Sequence, residues 1–412
     1  MSGKLPPDRV PFDDEKTDPG IKQIPSEFLE DEITDPGIIV VQPGNSEADL
    51  ISASTGIPID LGVIEDYLAD PSINEIMVND TRNIMLEKAG RMIQANARIE
   101  TTEALTKLSR EVMKLTDLPF NPENPTIDLS LPDGSRLNMI GPPLTRSGIC
   151  ITIRKFPKRY SMHQLQQLGT FDERMGVFLQ KCIAGRLNIM ISGGTGSGKT
   201  TLLAALSGSI SKEERVITIE DTPELKLSLP NVVQMYTRPK MGNTEAITQR
   251  ELLVNSLRMR PDRIILGECR RGEALDMLQA MNTGHDGSIT TLHANTPRDG
   301  LARLETLCMM AGLQNLSQIA VRRQIAASLE LLIHVERVQG GKRRITKISE
   351  ITGMESDVIS LQDLFHYEFI AKDPYNKNQT KFGDQFICDG YLPNFLDKLK
   401  LRGIEFQPRF FG

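Results

Sequence analysis

Apolar and polar positions follow two different patterns along the chain. Between about residues 55 and 156, alternating runs such as 73–78 and 127–131 predict strands with one packed face. Apolar residues at positions 105, 108, 112 and 115 have the spacing of an amphipathic helix. From about 163 to 338, short continuous apolar runs alternate with helical spacing, which is typical of a parallel sheet covered by helices. We therefore expect an α+β unit at 55–156 and an α/β unit at 163–338.

The other segments have weaker patterns. Residues 1–54 are rich in Pro, Gly, Asp and Glu, which is typical of a disordered tail. Thr-Asp-Pro-Gly-Ile occurs in it at 17–21 and again at 34–38. This repeat is either a docking peptide or a repeated turn, and we favour the turn. Residues 157–162 are predicted to be a linker, and residues 339–412 a C-terminal extension without assigned chemistry.

Several elements of the α/β unit can be placed approximately. The apolar run at 187–191 predicts a buried strand, and a helix is expected to begin at Thr201 after a glycine-dense turn. Further strands are predicted at 216–219, 263–266, 288–292 and 329–335, and further helices at 252–259, at 274–281, from 297 and at 317–327.

The glycine-dense turn at 193–200 matches G-x-x-x-x-G-K-[ST] at every fixed position. Its glycines let backbone N–H groups surround phosphate oxygens, and the following helix N-terminus adds a positive dipole. Lys199 is expected to neutralise the β- and γ-phosphates, and the Thr200 hydroxyl to bind Mg²⁺. The candidate ATP-binding residues are Gly193, Gly194, Thr195, Gly196, Ser197, Gly198, Lys199, Thr200 and Thr201.

Two acidic segments follow predicted strands of the same sheet. In an open α/β sheet, ligands lie beyond the carboxyl ends of the strands. We predict that Glu224 is the base that orients the attacking water, with Glu220 as the alternative. Gly267 stands where a Walker B strand usually has its aspartate, so Glu268 is expected to reach the metal through water. His293 ends another strand, and a γ-phosphate sensor and a structural histidine are both open for it.

Arg136 and Arg154 alternate with apolar neighbours in two predicted strands. Strand alternation therefore places both side chains away from the packed face. Without further information, the simpler interpretation is two solvated arginines. The remaining histidines are interpreted as structural, and they are His163, His285, His334 and His366.

Composition narrows the possible functions. A net charge of −6, no tryptophan and 5% aromatic residues argue against a general polynucleotide binder. The five cysteines form no C-x-x-C pair, which disfavours a zinc knuckle or a disulfide framework and fits a reducing cytoplasm. No apolar run approaches the roughly 18 residues of a membrane span. We therefore expect a soluble, cytoplasmic protein.

Together, these motifs resemble those of the type II/type IV secretion-system ATPase superfamily. Residues 192–200 are similar to its Walker A motif, 219–224 to its Asp box, 266–268 to its glycine-containing Walker B and 290–296 to its His box. The resemblance implies a RecA-like P-loop ATPase domain preceded by a smaller α+β N-terminal domain. It also implies ATP and Mg²⁺ as ligands and a homo-hexamer as the working state.

Other segments resemble the CpaF-type ATPases of tight-adherence (Tad, Flp) pili. They are residues 74–79, 132–138, 259–263, 281–288 and 350–355. This resemblance implies a motor for pilus assembly or retraction, docked on platform proteins at the cytoplasmic face of the inner membrane. It further implies that Arg136 and Arg154 contact phosphate when the first domain closes over the nucleotide, with Arg146 as a weaker candidate. Residues 1–54 do not match the helical region expected before that domain.

Two other functions are alternatives to the motor. A nucleic-acid translocase or helicase on the same core predicts basic loops interleaved with aromatic residues. A non-hydrolysing nucleotide-binding scaffold predicts a degraded catalytic set. The composition and the presence of Lys199, Glu224, Glu268 and His293 favour the motor.

Overall fold

Two β-sheets organise the part of the chain that the structure describes. The structure is a computed structural model that describes residues 59–88, 91–116, 118–156, 158–238, 240, 244–371 and 383–412. The predicted tail with its repeated pentapeptide, the turn at 89–90 and Pro157 of the predicted linker lie outside these ranges.

The first sheet has six strands in the order β3-β2-β1-β6-β5-β4, and each adjacent pair is antiparallel. The strands are β1 (Ile73–Val78), β2 (Ile84–Lys88), β3 (Arg91–Gln94), β4 (Thr126–Ser130), β5 (Arg136–Ile140) and β6 (Cys150–Arg154). A 3₁₀ turn (Gly62–Ile64) leads into helix α1 (Glu65–Ala69), and helix α2 (Thr102–Met113) follows β3. Apolar residues of α2, among them Leu108 and Val112, belong to the same core as Ile76 of β1 and Leu137 of β5. The sheet is therefore packed through alternating apolar side chains, as predicted.

The second sheet has nine strands in the order β15-β14-β13-β12-β7-β11-β10-β8-β9. They are β7 (Ile189–Gly193), β8 (Val216–Glu220), β9 (Val232–Tyr236), β10 (Arg263–Leu266), β11 (Ile289–His293), β12 (Leu331–Arg337), β13 (Arg343–Glu355), β14 (Val358–Ile370) and β15 (Gly383–Cys388). Strands β7 to β12 pair in parallel, and β13 to β15 continue the sheet in antiparallel pairs. Part of the predicted C-terminal extension thus adds strands to this sheet, a contribution that its weak periodicity did not predict.

Helices cover this second sheet, and two hydrophobic clusters form its cores. The helices are α3 (Met162–Gln167), α4 (Glu173–Ala184), α5 (Lys199–Ser207), α6 (Gln249–Ser256), α7 (Glu273–Asn282), α8 (Pro297–Met309), α9 (Gln318–Ser328) and α10 (Leu396–Lys400), with a 3₁₀ turn at Gln339–Gly341. One cluster joins α4 and α5 to the C-terminal segment, and the other joins α7, α8 and α9. No described helix has the length and hydropathy needed to span a bilayer.

Two helices of the α/β unit begin two or more residues before the predicted start. Helix α6 begins at Gln249 and not at 252, because Thr248 and Glu251 form a reciprocal capping box at its start. Helix α5 begins at Lys199 and not at Thr201, since Gly198, with a φ of 99°, makes the turn that leads directly into the helix. The loop lysine therefore lies in the first turn of the helix.

A buried arginine fixes the start of β10. Arg263 is fully buried, and its guanidinium donates to both carboxylate oxygens of Glu214 at 3.0 and 3.1 Å. It also donates to the carbonyls of Ile183 and Gly287, each at 3.0 Å. These four hydrogen bonds compensate the buried guanidinium. They tie the start of β10 to the end of α4, which contains Ile183, and to the loops that contain Glu214 and Gly287.

Replacing Arg263 with methionine is expected to lower the free energy of unfolding by about 3 kcal/mol or more, because the carboxylate of Glu214 loses its main partner while remaining buried. Arg186, 3.2 Å from Glu214, offsets part of the loss. Urea denaturation of the nucleotide-free protein measures the effect. Arg258→Met is the matched control, since Arg258 is exposed. Equal stability of both variants would contradict this account of the buried pair.

Candidate nucleotide site

The glycine-rich loop lies between β7 and α5, in the middle of the second sheet. A Cβ added to Gly193 would lie 2.2 Å from the carbonyl oxygen of Val335 on β12, so only glycine fits there. The hydroxyl of Ser197 is buried and has no hydrogen-bond partner among the described residues. A loop with an unpaired buried donor fits a site built to receive the oxygens of a ligand.

Lys199 is largely buried beneath this loop, with a relative exposure of 7%. Its ammonium donates to the carbonyls of Gly193 at 3.0 Å and Gly194 at 2.9 Å, and lies 3.5 Å from Nδ1 of His293. Burial lowers the pKa of Lys199, and the nearby carboxylates of Glu268 and Glu224 oppose that shift. In the described residues no carboxylate lies within ion-pair distance of this ammonium, which favours its pairing with an anionic ligand.

Glu268 follows β10, and its carboxylate contacts two basic side chains, His293 and Arg270. Its Oε1 lies 3.1 Å from Nε2 of His293, and its Oε2 accepts a hydrogen bond from Arg270 at 3.0 Å. Arg270 also pairs with Asp221 at 3.1 Å. The pKa of His293 is lowered, first by burial and then by Lys199, while Glu268 opposes the shift. The sequence analysis missed Arg270, whose partners depend on the contact between two neighbouring strand ends.

Gly267 has a steric explanation in the structure. A Cβ at this position would lie 3.1 Å from Cγ of Glu220 and 3.5 Å from the carbonyl oxygen of Ile219. A residue with a side chain here would crowd the buried Glu220 at the end of β8, which favours glycine at this position. Glu268 is left as the carboxylate of this strand end, as the sequence predicted.

The two glutamates after β8 have different environments. Glu220 is 4% exposed, and its Oε2 accepts the backbone N–H groups of Glu224 and Leu225, each at 3.0 Å. Its Oε1 is buried without a partner among the described residues. Burial, as the largest cause, raises the pKa of Glu220 to about 7. Glu220 thus holds the loop, while Glu224 is only partly buried and is the better candidate for a base that meets water.

Glu220→Gln is expected to raise the stability of the protein at pH 8 but not at pH 4.5. The folded-state pKa lies above the unfolded value of 4.5, so ionisation costs stability as pH rises from about 4.5 to about 7. The amide oxygen can still accept both backbone N–H groups, and the stability gain at pH 8 should be on the order of 2–3 kcal/mol. Thermal unfolding of both proteins across this pH range measures the gain. A stability difference between the two proteins that is the same at all pH values would contradict the raised pKa of Glu220.

A magnesium ion would have few protein ligands here. Among the described residues no three His, Cys, Asp or Glu side chains converge on a metal position. Thr200, in the first turn of α5, and Glu268 remain as the predicted pair. One hydroxyl and one carboxylate fit Mg²⁺, because that ion is commonly held by one or two protein groups together with substrate phosphates.

Arg136 and Arg154 face each other across the β5–β6 pair. Their neighbours Leu137 and Ile153 are buried while the two arginines are not, which agrees with the predicted alternation. Arg146 is exposed in the connection between these strands. Within the described ranges, none of the three arginines hydrogen-bonds or ion-pairs with the residues around Lys199. Their contact with phosphate stays a prediction.

His334 received a structural interpretation from the sequence, and the structure places it beside the loop strand. It is buried, its Nδ1 lies 2.8 Å from the hydroxyl of Ser192, and its Nε2 lies 3.0 Å from the carbonyl of Asn295. It therefore connects β7 to the segment after His293.

The described cysteines, all five in the chain, are free.

This fold and this loop define a RecA-like P-loop protein with an additional N-terminal domain. A family profile described as "Type II/IV secretion system protein" matches residues 59–355. The chain belongs to this family, which confirms the resemblance to the type II/type IV secretion-system ATPases.

Individual relatives and a solved structure support this family and this fold. The chain is 33% identical to conjugal transfer protein TrbB of Rhizobium radiobacter over 313 residues, covering 75% of this chain and 92% of TrbB. It is 33% identical over 319 residues to type IV secretion system protein PtlH of Bordetella pertussis, covering 70% of this chain and 93% of PtlH. The crystal structure of the Yersinia pseudotuberculosis ATPase DotB matches 78% of this chain and 83% of its own, with a TM-score of 0.53 and 16% identity, which supports the fold.

Proposed function

We propose that this chain is a Mg²⁺-dependent ATPase that converts ATP and water to ADP and phosphate as part of a homo-hexameric motor. The observation that carries the proposal is the row from Lys199 through His293 to Glu268, with separations of 3.5 and 3.1 Å. Lys199 and Glu268 follow β7 and β10, and His293 is the last residue of β11; the carboxyl ends of these three strands meet at one sheet edge. The row supplies a cation, a sensor and a carboxylate beside one phosphate-binding loop.

Each side chain has a role that follows from its position. Loop amides and Lys199 bind the β- and γ-phosphates, and Glu224 orients the attacking water. Bound Mg²⁺, held by Thr200 and through water by Glu268, would neutralise phosphate charge. His293, already in contact with Glu268, contacts the γ-phosphate and is released when that group leaves. Hydrolysis thereby changes the contacts of residues at the carboxyl ends of three strands.

The machine that this motor serves is a Tad/Flp-type pilus or a related secretion system. Support for a transport machine comes from relatives that are named as conjugal transfer and type IV secretion proteins. Support for the Tad branch comes from the motifs at 74–79 and 132–138. The partners are then platform proteins of the inner membrane, at whose cytoplasmic face the ring sits, and no nucleic acid is expected.

A steady-state ATPase assay on the purified full chain, with and without single-stranded DNA, tests this function. The motor hypothesis predicts Mg²⁺-dependent turnover that DNA does not change. Turnover that requires DNA would favour a translocase instead. The mass of the particle with a non-hydrolysable ATP analogue tests the hexamer, and a monomer under saturating analogue would contradict it.

Arg154→Ala is expected to lower kcat by about tenfold or more while changing nucleotide affinity less, because a guanidinium that arrives on domain closure stabilises mainly the transition state. Arg91→Ala is the matched control, since Arg91 is an exposed arginine of the same sheet. Initial-rate kinetics and analogue binding measure the two effects separately. Equal losses in both would indicate a ground-state binding role.

A further inference from the structure

The Gly196–Ser197 peptide has a defined orientation in the phosphate loop. The Ser197 N–H donates a long hydrogen bond across the loop to the carbonyl of Gly194, at 3.4 Å. A trans peptide directs its C=O and N–H groups to opposite sides. The Gly196 carbonyl therefore points to the opposite side of the peptide from the Ser197 N–H, which is bonded within the loop.

That outward carbonyl accepts a hydrogen bond from Nε of Arg343, at 3.0 Å. Arg343 is the first residue of β13, and its aliphatic stem lies against Gly198, where an added Cβ would be 3.1 Å from the arginine Cδ. The preceding strand, β12, touches the loop at its other end, where Gly193 meets the carbonyl of Val335. The β12–β13 hairpin thus forms one wall of the loop.

The Arg343 guanidinium contacts this peptide and does not form an ion pair with a described carboxylate. Its neighbours Lys342 and Arg344 both pair with Asp384. In the described part of the chain, no carboxylate lies within ion-pair distance of Arg343. A cation on a carbonyl oxygen polarises the peptide and makes its N–H a stronger donor. The donor concerned is the Ser197 N–H, whose acceptor without nucleotide is the Gly194 carbonyl at 3.4 Å.

We propose that Arg343 is a positioning residue that holds and polarises the Gly196–Ser197 peptide for phosphate binding. It acts through that backbone and needs no contact with the nucleotide itself. The inference rests on the proposed function, because it assigns a role only if the loop binds a nucleotide phosphate. It also makes nucleotide affinity depend on the β12–β13 hairpin, which lies outside the four sequence motifs.

The test compares purified full-length proteins by calorimetry with Mg²⁺ and a non-hydrolysable ATP analogue. Arg343→Ala should raise the Kd about threefold to fivefold, because the hydrogen bond already exists without nucleotide and only its additional strength on phosphate binding is lost. Arg343→Lys should recover part of this loss because the ammonium can still donate to the carbonyl. Lys342→Ala, the adjacent exposed cation, should leave the Kd unchanged. The KM for ATP should rise with the Kd in Arg343→Ala, while kcat changes by less than about twofold.

Three outcomes would overturn the inference. The first is a wild-type Kd in Arg343→Ala while Lys199→Ala loses binding, which leaves the proposed function intact. The second is a lowered melting temperature of the nucleotide-free Arg343→Ala protein with no recovery of Kd in Arg343→Lys, which indicates a purely structural role. The third is a wild-type protein that binds no analogue, and this result alone would remove the proposed function as well.

Discussion

Lys199→Ala is expected to lower both analogue binding and ATP turnover by about 100-fold or more, because phosphoryl transfer depends mainly on positioning and on neutralising phosphate charge. The structure gives the reason for so large an effect. The ammonium is buried under the loop, and its pKa is lowered by that burial. Its only hydrogen-bond acceptors among the described residues are two loop carbonyls and, at 3.5 Å, His293.

The same variant should retain its fold. A desolvated ammonium contributes little to stability, so the nucleotide-free melting temperature is expected to stay near that of the wild type. The wild type should gain about 2.7 kcal/mol of stability at an analogue concentration of 100 Kd, and the variant should gain almost none. Lys212→Ala, an exposed lysine between α5 and β8, is the control. Normal analogue-induced stabilisation of Lys199→Ala would place the nucleotide elsewhere.

Glu268→Gln is expected to keep ATP binding and to lose turnover by about 100-fold or more, since the change removes negative charge near the metal and preserves the shape of the side chain. The amide can still contact Arg270 and His293, which now lie 3.0 and 3.1 Å from the carboxylate. Single-turnover hydrolysis and analogue binding separate the two quantities.

The control for this variant is Glu213→Gln, an exposed glutamate that should behave as wild type. A Glu268→Gln protein with normal turnover would remove Glu268 from the reacting site. A protein that loses binding and turnover equally would instead show that Glu268 mainly holds the loop through His293.

Local motifs predicted much of this site, for a physical reason. The phosphate loop needs particular residues at fixed spacing within a single strand–turn–helix unit, so eight consecutive residues suffice to identify it. The positions of Glu268 and His293 also followed from local patterns, because Glu268 closely follows one strand, His293 ends another, and the strands are parallel. Alternation likewise predicted the faces of Arg136 and Arg154.

The residues that sequence analysis missed depend on long-range register. Arg343 reaches Gly196 across a separation of 147 residues, through an antiparallel hairpin whose pairing no local pattern determines. Arg270 joins Glu268 to Asp221 because β8 and β10 are neighbours in space and not in sequence. Glu220 looked like a second candidate base, and only its burial shows that it holds the backbone of the acidic loop.

The most direct test of the central claim is a crystal structure of Glu268→Gln with ATP and Mg²⁺. The account predicts phosphate oxygens at hydrogen-bonding distance from Lys199 and the loop amides, the metal on the Thr200 hydroxyl, and Arg136 or Arg154 against the phosphates. Nucleotide bound away from the loop at 193–200, or a loop that stays empty at saturating ATP, would contradict it.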